Sequence, residues 1–260
     1  MIFFGVLLMS AFLHLRFVLV GTQHPGNVGA AARAMKTMGL SRLVLVAPEC
    51  RLDEHAYRRS AGAEDVLETA PVHTALADAV ADCTFVLGCT ARARRVALEE
   101  LRPTVAASRI LAKIDKGGEV ALLFGRERTG LTNEELQLCH AAVHIPADPA
   151  FSSLNLAAAV QILAYEMRLA FLDAISAPIH SLSAFREAPA SHAHLEGLFG
   201  QFNQTLDEID FHKGRAPESA MRKLRRLFAK AELTEKEVRL LRGVLSDVQR
   251  IAMLGRKFET

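Results

Sequence analysis

The sequence has few cysteines, and their spacing excludes two classes of protein. Its 260 residues include only four of them, Cys50, Cys83, Cys89 and Cys139, and no two stand in a C-x-x-C pair. A secreted disulfide framework or a structural zinc site would need closely spaced cysteines. We therefore expect reduced thiols, a cytoplasmic protein and no bound metal.

The apolar segment at the amino end is too short for a membrane span. Residues 1–13 are almost wholly apolar, but a spanning helix needs about 20 such residues. The segment also lacks the basic start and the small-residue cleavage pattern of a signal peptide. Because Met9 is a second candidate start, we expect residues 1–13 to be an extension from an upstream start codon, and we expect no membrane partner.

Two glycine-bearing segments lack residues that nucleotide-binding loops need. The segment Gly125–Thr132 has P-loop spacing, but Leu131 stands where the phosphate-binding lysine belongs. The segment Gly26–Gly29 lacks the third glycine of the dinucleotide-binding fingerprint. Neither segment therefore predicts a nucleotide site of these two kinds.

What the sequence does contain is an alternation of short apolar runs and helical segments, which is typical of an α/β fold with a parallel sheet. Turns after parallel strands meet at one sheet edge, where helix N-termini offer free N–H groups, so we place the functional site at the turns after residues 120–124 and 142–145. Thr132 with Glu135 predicts a capping box. Strands are predicted at residues 16–20, 42–47, 84–89, 120–124 and 142–145; a turn at 21–27; and helices at 30–38, 53–60, 72–82 and about 154–174.

The composition changes near residue 176. Residues 176–192 hold two prolines and four serines and are predicted to be a linker. Beyond them the pattern is helical only, with an apolar stripe from Leu195 to Ile209 and a second capping box at Thr234 and Glu237. Residues 211–260 hold 13 Lys and Arg against 6 Asp and Glu, a net +7, while the rest of the chain is −5. We interpret residues 193–260 as a basic helical extension that binds RNA; the alternative is an ordinary solvated helix face.

Three sets of residues remain. They are Asn27 with Arg33, then Leu-Phe-Gly-Arg-Glu-Arg-Thr-Gly-Leu at residues 123–131, then Ile145-Pro146 followed by Ser-Ser-Leu-Asn-Leu at residues 152–156. In this order they resemble the SPOUT superfamily of knotted methyltransferases, and within it the group that methylates RNA ribose 2′-oxygens. The resemblance covers about residues 16–172 and extends, more weakly, to residues 240–243.

The resemblance implies a SPOUT-type domain at residues 1–175, a parallel sheet flanked by helices with a deep trefoil knot formed by about residues 120–172. It also implies a homodimer, in which the helix from Leu154 is the candidate interface and Arg33 serves either its own chain's site or the partner's. The implied cofactor is S-adenosyl-L-methionine, held by main-chain groups of three loops. The residues that the resemblance assigns to it are Thr90, Ala91, Gly125, Glu127, Ile145, Ser153 and Leu154.

The resemblance further assigns catalytic roles. A guanidinium pKa lies above about 12, so we expect Arg33 to hold a phosphate or to stabilise an alkoxide rather than to act as a base. Other interpretations stay open: Ser153 and Asn155 as helix caps, and Glu127 as a salt-bridge partner of Arg126 or Arg128. The implied catalytic set is Asn27, Arg33, Glu127, Ser153 and Asn155.

The group members that this sequence resembles most methylate the ribose of cytidine or uridine 32 in the tRNA anticodon loop. We therefore expect tRNA as the partner. The alternatives are a 2′-O-methyltransferase for ribosomal RNA and an RNA-binding protein that keeps the fold without catalysis. The predicted RNA contacts are Arg126, Arg128, Arg222, Lys223, Arg225 and Arg226.

Overall fold

A computed structural model describes four segments of the chain, residues 11–91, 98–176, 189–213 and 216–258. The chain divides into two units, residues 1–182 and 183–260, and each has its own hydrophobic core. The predicted linker at residues 176–192 lies mostly outside the described residues, and its bounds stay a prediction.

The first unit is built on a sheet of seven strands in the order β3-β2-β1-β6-β4-β7-β5, with parallel pairing throughout the described residues. Both faces are covered, so the interior strand β1 (Leu15–Val20) is buried along its whole length. The strands are β1 (Leu15–Val20), β2 (Leu43–Val46), β3 (Val72–His73), β4 (Cys83–Cys89), β5 (Glu100–Leu101), β6 (Glu119–Phe124) and β7 (Ala141–Val143).

Helices cover the two faces of this sheet. Alternate residues of a strand point to opposite sides, so Phe17 and Leu19 enter one core cluster while Val18 and Val20 enter the other. The helices are α1 (Pro25–Thr37), α2 (Glu54–Ser60), α3 (Glu64–Glu68), α4 (Leu76–Ala79), α5 (Pro103–Asp115), α6 (Asn133–Gln137) and α7 (Leu156–Ser176), preceded by a 3-10 turn at Ala11–His14.

The predicted α/β class is confirmed, and the five predicted strands are present with ends shifted by at most two residues. The helix predicted at residues 72–82 is wrong at its start, because Val72 and His73 pair with β2 as a short edge strand. The turn predicted at residues 21–27 is also too long. Helix α1 begins at Pro25, since proline is favoured in a first helical turn, and Asn27 is therefore helical.

The second unit is helical, as predicted, with α8 (His192–Glu208), α9 (Pro217–Ala231) and α10 (Glu235–Phe258). Leu195 and Leu198 of the predicted stripe are buried, whereas Ile209 is exposed. The capping box of Thr234 and Glu237 is confirmed by reciprocal hydrogen bonds of 2.7 and 3.3 Å. No helix among the described residues is both long and apolar enough to cross a membrane.

A cluster of charged side chains joins the amino ends of four strand segments. The buried Arg16 guanidinium donates to Asp82 at 2.8 and 2.6 Å and to Glu119 at 2.8 Å. Arg42 donates to the same Glu119 oxygen at 2.6 Å. Burial raises the pKa of Glu119, but the hydrogen bonds from Arg16, Arg42 and His14 outweigh it and hold that pKa at about 2. The Glu119 carboxylate is therefore ionised and stabilising at neutral pH.

We expect Glu119→Gln to lower the unfolding free energy at pH 7 by about 2 kcal/mol, a value discounted for the partial exposure of the side chain. Because the folded-state pKa is depressed, the contribution is present above pH 4.5 and is lost as pH falls towards about 2. Urea unfolding followed by circular dichroism between pH 7 and pH 3 should show the two proteins converging. Glu68→Gln, at an exposed carboxylate, is the control, and an E119Q effect independent of pH would contradict the assignment.

Candidate functional site

Four neighbouring strands bring the predicted site loops to one edge of the sheet. Strands β1, β6, β4 and β7 are adjacent and parallel, so their carboxyl ends lie on the same side. The segments that leave this edge are residues 21–24 after β1, which lead into α1 and Asn27, 125–132 after β6, 90–91 after β4 and 144–155 after β7.

The Glu127 carboxylate is the centre of the hydrogen bonding at this edge. Its Oε1 accepts from Asn27 Nδ2 at 2.9 Å and from the His24 amide at 3.3 Å, and its Oε2 accepts from the Gln23 amide at 3.1 Å. Burial raises the pKa of Glu127, but these donors outweigh it and hold the pKa below its ordinary value. The main-chain donors Gln23 and His24 were missed from the sequence, because no side-chain pattern marks them.

Asn27 extends this network to the start of α7. Its Oδ1 accepts from Asn155 Nδ2 at 3.1 Å, and Asn155 Oδ1 accepts from the amides of Ala157 and Ala158 at 2.9 and 3.4 Å. A carboxylate only accepts, so Asn27 must turn its NH₂ group to Glu127 and its oxygen to Asn155. Asn155 is therefore both the cap of α7 and a member of the network.

Gly125 closes the loop that carries Glu127. A Cβ on Gly125 would lie 2.1 Å from the carbonyl carbon of Gly130 and 2.2 Å from the Leu131 nitrogen, so only glycine fits. Gly130 has φ +69° and donates to the Arg126 carbonyl at 2.8 Å. The position has a structural reason to be glycine, and its role toward the cofactor stays a prediction.

The structure does not bring Arg33 to this network. Arg33 is exposed, and among the described residues its guanidinium has no hydrogen bond or ion pair. It lies six residues beyond Asn27 on α1, which is about 9 Å along the helix axis and about 120° around it. The structure thus leaves Arg33 outside the hydrogen-bond network of Asn27, and its catalytic role stays a prediction.

The other residues assigned to the cofactor lie along the same edge. The Thr90 amide donates to Val143, and its carbonyl lies 3.2 Å from His144 Nδ1, so the loop after β4 is fixed to β7. Ile145 is buried, while Ala91, Ser153 and Leu154 are exposed. Ser153 has no hydrogen bond among the described residues, so Asn155, and not Ser153, caps α7. The roles of Ile145 and Leu154 toward the cofactor stay predictions.

Two of the predicted RNA contacts are already engaged by acidic residues. Arg126 donates to Glu135 at 2.9 and 3.2 Å, so it binds Glu135 and leaves Glu127 to Asn27. Arg225 donates to Glu196 at 2.8 Å, and its guanidinium lies 4.5 Å from the ring centroid of Phe199. The other four predicted RNA contacts are exposed, and they are Arg128, Arg222, Lys223 and Arg226.

The described segments contain no group of three His, Cys, Asp or Glu side chains placed to hold a metal ion. The site is instead formed by three chain segments, which the ionised Glu127 carboxylate and the side-chain amides of Asn27 and Asn155 join by hydrogen bonds.

Comparison with family models agrees with this geometry. Residues 14–165 match the SpoU rRNA Methylase family, and residues 193–257 match the C-terminal domain of the tRNA methyltransferase TrmJ. The first match covers more than half of the chain. The fold and the site thus define a methyltransferase of the SpoU class.

Individual relatives identify the family within this class. The chain is 46% identical over 243 residues to the tRNA (cytidine/uridine/adenosine-2′-O-)-methyltransferase TrmJ of Pseudomonas aeruginosa, covering 92% of this chain and 95% of the relative. It is 45% identical over 238 residues to the tRNA (cytidine/uridine-2′-O-)-methyltransferase TrmJ of Yersinia enterocolitica, covering 91% and 92%. The crystal structure of TrmJ from Z. mobilis ZM4 is 36% identical, with a TM-score of 0.76 over 90% of this chain and 98% of that one. The chain belongs to the TrmJ family of SpoU methyltransferases, which confirms the resemblance seen in the sequence.

Proposed function

We propose that this protein transfers a methyl group from S-adenosyl-L-methionine to the ribose 2′-oxygen of cytidine or uridine 32 in the tRNA anticodon loop, in the cytoplasm. The relatives are named for 2′-O-methylation of tRNA and cover both units. Position 32 is supported by the motif resemblance. The observation that carries the proposal is the chain of hydrogen bonds from Glu127 through Asn27 to Asn155, which joins the three motif segments.

The cofactor site lies where β6, β4 and β7 end. Main-chain groups of residues 90–91, 125–127, 145 and 153–154 hold the cofactor, and Ile145 and Leu154 supply the apolar surface for its adenine ring. The assigned contacts are Thr90, Ala91, Gly125, Glu127, Ile145, Ser153 and Leu154.

A trefoil knot formed by about residues 120–172 is part of the proposal. Strand β7 lies beyond β4 and β6 from β1, yet Asn155, soon after β7, contacts Asn27 of the helix that follows β1. The chain therefore returns across two strands before α7 begins. This crossing supports a knotted path, which pattern reasoning alone would not suggest because knots are rare.

The reaction needs orientation more than acid or base strength. When bound, S-adenosyl-L-methionine would supply an already activated methyl group and would leave as S-adenosyl-L-homocysteine, while the proton of the 2′-hydroxyl would pass to solvent. Asn27 and Asn155 present fixed amides beside Ser153, and Glu127 holds them in register. Arg33 remains protonated and stabilises the negative charge that develops on the 2′-oxygen.

The active form is a homodimer in which Arg33 acts on the partner's site. An exposed apolar stripe on α7, formed by Ala158, Tyr165 and Leu169 at helical spacing, supports a helix interface between copies. The distance of Arg33 from its own Asn27 supports action in trans.

The test of the reaction is methyl transfer from labelled S-adenosyl-L-methionine to unmodified tRNA transcripts, one of which carries a 2′-deoxy residue at position 32. We expect label on the normal transcript and none on the deoxy transcript, because the acceptor oxygen is missing. Label on both transcripts would show that the methylated nucleotide is not nucleotide 32. No label on either, with tRNA still bound, would favour a ribosomal RNA target or a non-catalytic RNA-binding protein.

The test of action in trans uses two inactive variants. Arg33→Ala and Asn155→Ala should each abolish transfer without unfolding the protein, since Arg33 is exposed. A purified heterodimer of the two should regain about half of the wild-type rate per dimer, because one site then has both residues intact. No recovery in a stable heterodimer would place Arg33 in its own chain's site, and an active monomer would exclude the dimer.

The basic face of α9 is the proposed tRNA contact of the second unit. Arg222, Lys223 and Arg226 are exposed and, among the described residues, make no ion pair. Arg225, on the same helix, is held by Glu196 and Phe199 instead. Helix α9 therefore carries two kinds of cation: those that face solvent and one, Arg225, that packs within the unit.

We expect the double variant Arg222→Ala, Arg226→Ala to weaken tRNA binding about tenfold and to reduce its salt dependence, because two phosphate contacts are lost. Cofactor binding should not change. Arg225→Ala, the comparison on the same helix, should lower thermal stability, because it removes the hydrogen bond that Arg225 donates to the half-buried Glu196. Equal tRNA binding by the double variant and the wild type would contradict the role of α9.

A further inference from the structure

Helix α2 lies unusually close to α1, and glycine makes this approach possible. A Cβ on Gly29 would lie 2.0 Å from the Ala56 carbonyl oxygen, so no other residue fits there. Gly26, one turn earlier, lies on the same side of α1. The close packing places the side chains of α2 directly on the first turns of α1, which carry Asn27.

Two side chains of α2 use this space. Arg59 Cβ lies 3.1 Å from a Cβ built on Gly29, and its Cγ lies 3.6 Å from one built on Gly26, so the side chain runs towards the amino end of α1. His55 Nε2 lies 2.7 Å from the same Gly26 position. The Arg59 side chain and the His55 imidazole thus lie beside Gly26, the residue that precedes Asn27.

The acidic groups on the neighbouring elements are used by other residues. Asp53 caps α2 by accepting from two amides, at 2.9 and 3.2 Å. Glu54 lies 3.9 Å from Arg58. Glu49 accepts from Gln23 at 2.9 Å. The first turn of α1 has no acidic residue.

Arg59 and His55 themselves remain available to a ligand. Both are exposed, and among the described residues neither side chain makes a hydrogen bond or an ion pair. A free guanidinium is a forked donor that matches the oxygens of a phosphate.

We infer that Arg59 and His55 form a seat for one phosphodiester of the RNA backbone next to the target ribose. The inference rests on the proposed function. The seat adjoins Asn27, which belongs to the network that orients the ribose, so the phosphate held there flanks the acceptor nucleotide. A phosphate contact positions the strand without reading a base. Arg59 and His55 are therefore substrate-positioning residues.

The chain offers a matched control for this seat. Arg58 is adjacent, on the same helix and of the same charge, but it lies beside Glu54. We expect Arg59→Gln to weaken tRNA binding about tenfold and to reduce the salt slope by about 0.7, the value for one single-strand phosphate. Arg58→Gln should leave both unchanged. Equal losses in the two variants would show only a general effect of charge and would overturn the seat, and so would no loss in R59Q.

A second measurement identifies the ligand atom. Transcripts with an uncharged methylphosphonate on either side of nucleotide 32 should lose about tenfold in kcat/KM with the wild type at one of the two positions. With R59Q that substitution should cause no further loss, because the same contact is already gone. Additive losses at both positions would exclude a phosphate contact of Arg59.

His55→Asn tests the second donor and should cause a smaller loss at the same phosphate. Wild-type protein that transfers methyl groups while R59Q and R58Q behave alike would refute the seat alone. Wild-type protein that binds tRNA and methylates none of the transcripts would refute the proposed function instead. The two failures are therefore distinct.

Discussion

The hydrogen bond between Asn27 and the Glu127 carboxylate is the contact on which the arrangement of the site depends. Because the carboxylate can only accept, it fixes the direction of the Asn27 amide, which in turn fixes Asn155. Asn27 lies 100 positions from Glu127 and 128 positions from Asn155 in the chain. One ionised group thus sets the relative positions of three loops and the first turn of α7.

The same contact limits the chemistry that the site can perform. Glu127 is partly buried, but two main-chain amides and Asn27 keep it charged and its pKa below the ordinary value. A carboxylate whose oxygens already accept three hydrogen bonds is a poor proton acceptor, and the Arg33 guanidinium, which is a cation with donors only, cannot accept a proton. In the proposed reaction the two charged residues of the motifs therefore act by orientation and charge stabilisation, which an activated methyl donor makes sufficient.

The sequence predicted the elements that have a period or a cap. Strand β4 and the capping box of Thr132 with Glu135 are both found, the latter with its two reciprocal hydrogen bonds. The short strand Val72–His73 was missed because a segment of two residues is too short to show an alternating apolar pattern. It is a strand only because it pairs with β2. Of the site, the residue types of the motifs were predictable, but the partners of Glu127 were not, since main-chain donors leave no pattern in a sequence.

The arginines show most clearly what a sequence leaves undetermined. The pairing of Arg58 with Glu54 has i,i+4 spacing and can be inferred from order alone. Arg225 meets Glu196 from 29 residues away, so only the packing of α8 on α9 decides that a carboxylate holds its guanidinium. Arg59 is the opposite case, since its neighbour Arg58 has an ion pair, whereas Arg59 has none in the part of the chain that the structure describes. A count of Lys and Arg along a chain therefore overstates how many of these side chains can bind a phosphate. Those that can are the cations whose neighbouring carboxylates bind other residues.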